Sequence, residues 1–328
     1  MNGSLVIQDG GRADLDAGVV RDGDVADSEA LTEALRALWR EHKDLDKRVR
    51  IGVANARIVM RTLYLPPITD AKQLATAVSF QAAEAIPMPL ADAVLDYHAL
   101  GIEEGPDGPR QRIVLVAARR DMVVGMLTAA RAAGLKPAGI DLSAFGMVRA
   151  LQRQRRAGDS PELFVAVGGL TNLAISDRGI CVFTRVAGGG LESLAVELAE
   201  RREITATQAR AWLYKVGLDG DIGDCGDDLS IVTDARSVLT SGVRKIATEI
   251  RASLDFHQTQ AADGVGVGRV VLTGPAVAIA GFAAALSAEL DLEVEQRVVD
   301  GTAGMGLSTL DSACLSVAAG LAVESAPS

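Results

Sequence analysis

The chain has 328 residues, 48% of them hydrophobic and 23% charged, with a net charge of −10 and a pI near 4.9. That acidity excludes the basic face of a nucleic-acid binder and electrostatic adhesion to anionic lipid. The length suits two lobes, and with aromatics at only 3% the core must be built from alanine, valine and leucine.

A first helix is expected over 27–42, with Asp27 as N-cap and Leu31, Leu35, Leu38 and Trp39 along one face. Strands follow at 49–54 and 58–65, the second ended by Pro66-Pro67. Thr69 is expected to cap a helix reaching Ala85, stopped by Pro87 and Pro89. Residues 94–101 and 113–118 read as strands around a polar turn at 103–108. Asp121 then caps a helix that Gly134 closes in the left-handed conformation. A helix over 143–156 leads into a polar linker at 155–161.

The second half opens with strands at 163–167, 173–176 and 180–185, the last two joined by an Asp177-Arg178-Gly179 turn. Gly188-Gly189-Gly190 precedes helices over 191–201 and 205–216. An acidic, glycine-bearing loop at 217–228 lacks the order of a calcium loop. A long helix is expected over 234–260, then a strand at 270–273, a helix over 277–290, a short strand near Val294 and a last helix over 310–323. The Gly264–Gly268 run precedes a strand instead of following one, which is wrong for a dinucleotide fold. The apolar run 270–290 is broken by Gly274-Pro275 and Gly281 and is not a membrane span.

Chemistry-bearing patterns are sparse. Cys181, Cys225 and Cys314 have no CxxC spacing and read as buried hydrophobes in a reducing cytoplasm; His42, His98 and His257 form no metal-ligand set. Glu192, Glu197 and Glu200 read as a solvated helix face, and no catalytic motif is present. The first residues lack the basic and apolar regions of a signal peptide.

The segment from Arg57 to Asp141 carries the strongest signal. It contains Arg57-Ile-Val-Met-Arg-Thr-Leu-Tyr-Leu-Pro-Pro-Ile68, Phe80-Gln-Ala-Ala-Glu-Ala-Ile-Pro-Met-Pro-Leu90, Leu95-Asp96-Tyr97, Val114-Leu-Val-Ala-Ala-Arg119 and Gly134-Leu-Lys-Pro-Ala-Gly-Ile-Asp141. In order and spacing this resembles the PilM family of type IV pilus assembly proteins. The resemblance runs from about Gly18 to Val323. It implies an α/β, actin/Hsp70-like two-lobed fold with an inserted αβ subdomain. The implied division is 1–48 as a remnant of the first lobe, 49–142 as the inserted partner-binding subdomain and 143–160 as the return and linker. Residues 161–310 are then the second lobe, with a helical part at about 188–262, and 311–328 a C-terminal helix on the first lobe.

The resemblance also implies a function. It is that of a cytoplasmic scaffold of the pilus inner-membrane platform, peripheral to the membrane through the tail of a PilN-like protein, with pilus motor ATPases as further partners. The tail would enter a groove among 59–65, 69–85 and 94–100, with Phe80 and Met88 as the residues to test. ATP with Mg²⁺ is the implied ligand, held by Gly168, Gly169, Thr171, Asn172, Gly188, Gly189, Thr273 and Gly274. Three departures stand out. The family's Asp beside the second phosphate hairpin is Ala166 here, Pro275 removes a backbone donor from the adenosine-side loop, and the first phosphate hairpin is missing from the N-terminus. The unpaired edge that a missing first strand would leave favours a start set too late. Three alternatives remain beside the switch: a nucleotide-independent scaffold, a type II secretion platform homologue, and a true ATPase or kinase, which would need a carboxylate base. No catalytic or metal-binding residue is expected.

Overall fold

The structure, a computed structural model, describes residues 5–106, 108–153, 159–219, 229–260, 266–302 and 305–323. Of the expectations above, Cys225, Gly264, and most of the linker and of the acidic loop lie outside these residues.

The organising element is a five-stranded sheet of β8 (Glu162–Val167), β9 (Thr171–Asp177), β10 (Ile180–Ala187), β11 (Arg269–Thr273) and β12 (Val294–Gln296), in the order β10-β9-β8-β11-β12. β8, β11 and β12 run parallel, and β9 pairs antiparallel with both β8 and β10. Side chains alternate across a strand, so β8 feeds two cores. Leu163, Val165 and Val167 point to one face and join α5 (Leu191–Arg202), α6 (Ala206–Val216), α7 (Leu229–Gln260) and α8 (Phe282–Leu290). Phe164, with Ala174 and Val271, points to the other and meets α4 (Ser143–Leu151) and α9 (Thr309–Ala322). A strand covered on both faces reads as a continuous apolar run, which is why Leu163 to Val167 has no alternation to show. Phe164 and Phe282, both fully buried, are each worth about 1.5–3 kcal/mol of apolar burial. The remaining buried apolar core is Leu, Val, Ile and Ala with Met122 and Met147.

The first half holds α1 (Ser28–Glu41), β3 (Arg48–Val53), α3 (Arg120–Ala132) and β7 (Lys136–Leu142), preceded by a short hairpin of β1 (Val20–Arg21) and β2 (Asp24–Val25). β3 and β7 pair in parallel. Between them in sequence, but in a separate sheet, stand β4 (Val59–Leu65), β5 (Ala93–Gly105) and β6 (Gly108–Arg119) in the order β4-β6-β5. The helix α2 (Ala71–Ala85) covers that sheet, with Val78 and Ala82 buried against Leu63, Leu65, Ile113 and Leu115.

Several boundaries moved, each for a local reason. Asp27 caps α1 as expected, accepting from the backbone N–H of Glu29 and Ala30. Asp70, and not Thr69, caps α2, because its carboxylate accepts from both Lys72 and Gln73. α3 starts one residue before Asp121, whose carboxylate is held by Arg119. The 277–290 helix is divided by Gly281, in the left-handed conformation at φ 77°, where an added Cβ would sit 2.7 Å from the Asp219 backbone nitrogen. A 3₁₀ turn, Pro275–Ala278, lies before the break and α8 after it. α4 ends at Leu151, and α7 begins earlier than expected, at Leu229. β7 was not expected as a strand.

Candidate functional site

Three glycine-bearing turns meet at the C-terminal ends of the parallel strands β8 and β11. After Val167 the chain turns through Gly168–Leu170, the Gly168 N–H donating to the Leu170 carbonyl at 3.0 Å. The 188–190 segment lies directly on this turn. The Thr171 hydroxyl donates to the Gly189 carbonyl at 2.9 Å, and the Leu191 N–H donates to the Gly168 carbonyl at 2.7 Å. A Cβ at Gly190 would come within 2.3 Å of that carbonyl oxygen, so only glycine allows this approach. From the other side Gly274, at φ 78°, faces Val167 so closely that a Cβ would sit 3.1 Å from its backbone nitrogen and oxygen. Thus Gly168, Gly169, Thr171, Asn172, Gly188, Gly189, Thr273 and Gly274, scattered over about 100 positions, come together. Gly169, Gly188 and Gly189 face solvent, while Thr171, Asn172, Thr273 and Gly274 are buried.

Ala166 lies at the centre of a row across the sheet. It is the direct partner of Asn172 on β9 and of Thr273 on β11. Direct partners share a face, and here it is the face that Phe164, Ala174 and Val271 turn toward α4 and α9. The Asn172 Oδ1 and the Thr273 Oγ1 are buried and have no hydrogen-bond partner. A divalent cation such as Mg²⁺ takes one or two carboxylates from a protein. The row offers an amide, a methyl group and a hydroxyl, which does not fit. Among the described residues no group of three or more His, Cys, Asp or Glu could hold a metal ion.

The helix that follows the turn carries no unclaimed acid–base pair at its start. Glu192 pairs with Arg210 of α6 at 2.7 Å, and Glu197 pairs with Arg201 and with Lys245 of α7. These pairs fasten helices to one another and account for two of the three acidic residues. Burial pushes the Cys181 thiol up to about 12, so it is a poor nucleophile at neutral pH.

A second candidate surface lies on α2 and β4. Leu65, Lys72, Gln73, Thr76, Ala77, Phe80 and Gln81 line an open groove of about 520 Å³. Phe80 is 68% exposed, which is costly for so large an apolar ring. Met88 is half-buried against the Leu63–Ile113 core and does not line the groove. Tyr64, half exposed beside Leu65, carries the Arg110 guanidinium over its ring at 3.9 Å. Of the α2 groove residues Gln73, Thr76, Ala77, Phe80 and Gln81, only Phe80 was expected individually. Their i, i+3, i+4, i+7, i+8 spacing was the available signal. Gly190, where the 168–170 and 188–190 segments approach most closely, was visible only as the third glycine of a run.

The family model for "Type IV pilus assembly protein PilM" matches residues 1–326. The chain belongs to the type IV pilus assembly protein PilM family. A structure described as the PilM-PilN type IV pilus biogenesis complex superposes with a TM-score of 0.75 at 23% identity, over 93% of this chain and 88% of that one. MreB5 of Spiroplasma citri bound to ADP superposes with a TM-score of 0.51 at 13% identity, over 92% and 76%. Ethanolamine utilization protein EutJ from Carboxydothermus hydrogenoformans gives 0.50 at 16% identity, over 92% and 76%. The family fold is therefore actin-like in this chain too. A comparison with curated proteins gives no match. Among the described residues, no helix is long and apolar enough to cross a membrane.

Proposed function

We propose that this family member is an adaptor on the cytoplasmic side of the pilus inner-membrane platform, and that it grips the tail of a PilN-like membrane protein. The observation that carries this reading is the α2–β4 groove with Phe80 standing out at its side. A peptide lying there gains apolar contact from Phe80, Leu65 and Ala77, while Lys72, Gln73, Thr76 and Gln81 supply polar partners. The β4-β6-β5 sheet and α2 are then the gripping part of the 49–142 subdomain, with β3 and β7 at its base. The PilN complex of the similar structure supports the choice of partner.

The test is calorimetric titration of a synthetic PilN-like cytoplasmic tail into wild type, F80D and M88A. F80D should weaken binding at least tenfold, and M88A should bind as wild type does. Equal binding by wild type and F80D would remove the groove from the reading.

The second element of the proposal is nucleotide. The convergence of the 168–170, 188–190 and 273–275 turns supports an anion-binding role, since glycine turns bring backbone N–H groups close to phosphate. The ADP-bound MreB5 structure supports a purine nucleotide as the ligand. Nucleotide would then close the two lobes and alter the groove. A nucleotide-independent scaffold is the competing reading. It is favoured by Pro275 and by the Gly168 carbonyl, which takes the Leu191 N–H at the start of α5. Calorimetry with ATP separates the two. A hydrolase or kinase is disfavoured, because Ala166 supplies no base.

A further inference from the structure

Resting on the nucleotide reading above, we propose that this lobe takes its anionic ligand without a divalent cation. The starting point is the row Asn172–Ala166–Thr273. A carboxylate placed beside a polyphosphate repels it, and a divalent cation between the two resolves the conflict by binding both. With a methyl group at 166 the row offers the cation no carboxylate ligand, and no protein carboxylate repels the phosphates. The cation loses its anchor on the protein, and bridging is no longer needed for the phosphates to approach residue 166.

The flanking residues give the row a polar but uncharged character. The Asn172 Oδ1 and Thr273 Oγ1 are buried, unpartnered within the protein, and set on the same face as Ala166. Buried oxygens of this kind are costly unless something hydrogen-bonds to them. Both are neutral, and an alcohol can donate as well as accept. Such a pair suits ordered water or a ligand hydroxyl, and brings no carboxylate to a hard cation. Ligand charge must then be met by backbone N–H groups of the glycine turns. The exposed Gly169, Gly188 and Gly189 are the parts of those turns that solvent can reach.

The experiment is calorimetric titration of ATP into wild type, A166D and A166N, each with excess Mg²⁺ and again with EDTA. Circular dichroism checks that each variant is folded. Wild type should bind with the same affinity, within about threefold, in both buffers. A166D should lose at least tenfold in EDTA and recover with Mg²⁺, because it restores a charge that needs bridging. A166N, which fills similar volume without charge, should stay indifferent to Mg²⁺. Wild-type binding that collapses in EDTA overturns the inference while leaving the nucleotide reading intact. No binding of ATP by wild type in either buffer overturns both. The wild-type arm decides even if A166D fails to fold.

Discussion

Replacing Gly190 by alanine tests the contact that builds the candidate phosphate turn. The residue sits at φ −172°, extended backbone that alanine adopts freely, so any cost is steric. The new Cβ would lie 2.3 Å from the Gly168 oxygen and 2.9 Å from the Gly169 oxygen, both backbone atoms that cannot swing aside. Forcing the turn off α5 costs about 1–3 kcal/mol as overpacking. Losing the Leu191-to-Gly168 hydrogen bond adds about 0.5–1.5 kcal/mol. Against this, glycine-to-alanine stiffens the unfolded chain, a gain of about 0.4–1 kcal/mol. The steric terms win, and G190A should be less stable by about 0.5–4 kcal/mol. Urea unfolding followed by tryptophan fluorescence reads this directly, since Trp212 on α6 packs against the same core. The companion G189A fails for a different reason. Gly189 has φ 84° and its Cβ would meet only the Ser193 Oγ at 3.6 Å, so the cost is the left-handed backbone, about 1–2 kcal/mol. Asparagine, which tolerates that region, should recover part of the loss at 189 and none at 190. A G190A protein as stable as wild type, or more so, would mean that the 168–170 turn does not rest on α5.

Other consequences follow from single contacts. G320A should loosen the α4–α9 crossing, because its Cβ would lie 1.8 Å from the Gly146 oxygen; a loss of about 1–3 kcal/mol in urea unfolding is expected. F80D, at an exposed position, should leave the free energy of urea unfolding within about 0.5 kcal/mol of wild type while weakening tail binding at least tenfold. F282A, at a fully buried site, should cost about 3–5 kcal/mol by the same measurement. Glu295 is held down at about 2, from an ordinary 4.5, chiefly by its hydrogen bond from Arg297. Its folded pKa is depressed, so its contribution is full above about pH 4.5 and is lost as pH falls toward 2. E295Q should therefore be less stable than wild type at neutral pH and show a shallower acid limb between those values. A wild-type-like acid limb in E295Q would remove this pair from the account.

Much of the fold was legible because its determinants are local. Asp27 caps α1 with its own carboxylate, and the Arg178-Gly179 turn takes the positive φ values that a two-residue hairpin demands. Where the determinant was distant, the reading failed. β7 contains Pro137 and Gly139, poor strand formers, and is a strand because β3 pairs with it. The break at Gly281 comes from the close approach of Asp219, some 60 positions earlier, and no periodicity in an alanine-rich helix announces it.

The candidate site divides along the same line. The residue types were set by the sequence: glycines where backbones approach, an alanine at 166, a phenylalanine among polar helix neighbours. Those identities fix the chemistry available, because no fold can give Ala166 a charge. Tertiary structure alone decided which of them meet. The parallel register of β8 and β11 brings Thr273 beside Ala166, and the antiparallel return of β9 brings Asn172 to its other side. Exposure was decided the same way: Phe80 and Met88 lie eight residues apart, yet one faces solvent and the other the core. Neighbourhood and burial depend on contacts between residues far apart in the chain, which a reading of local pattern does not contain.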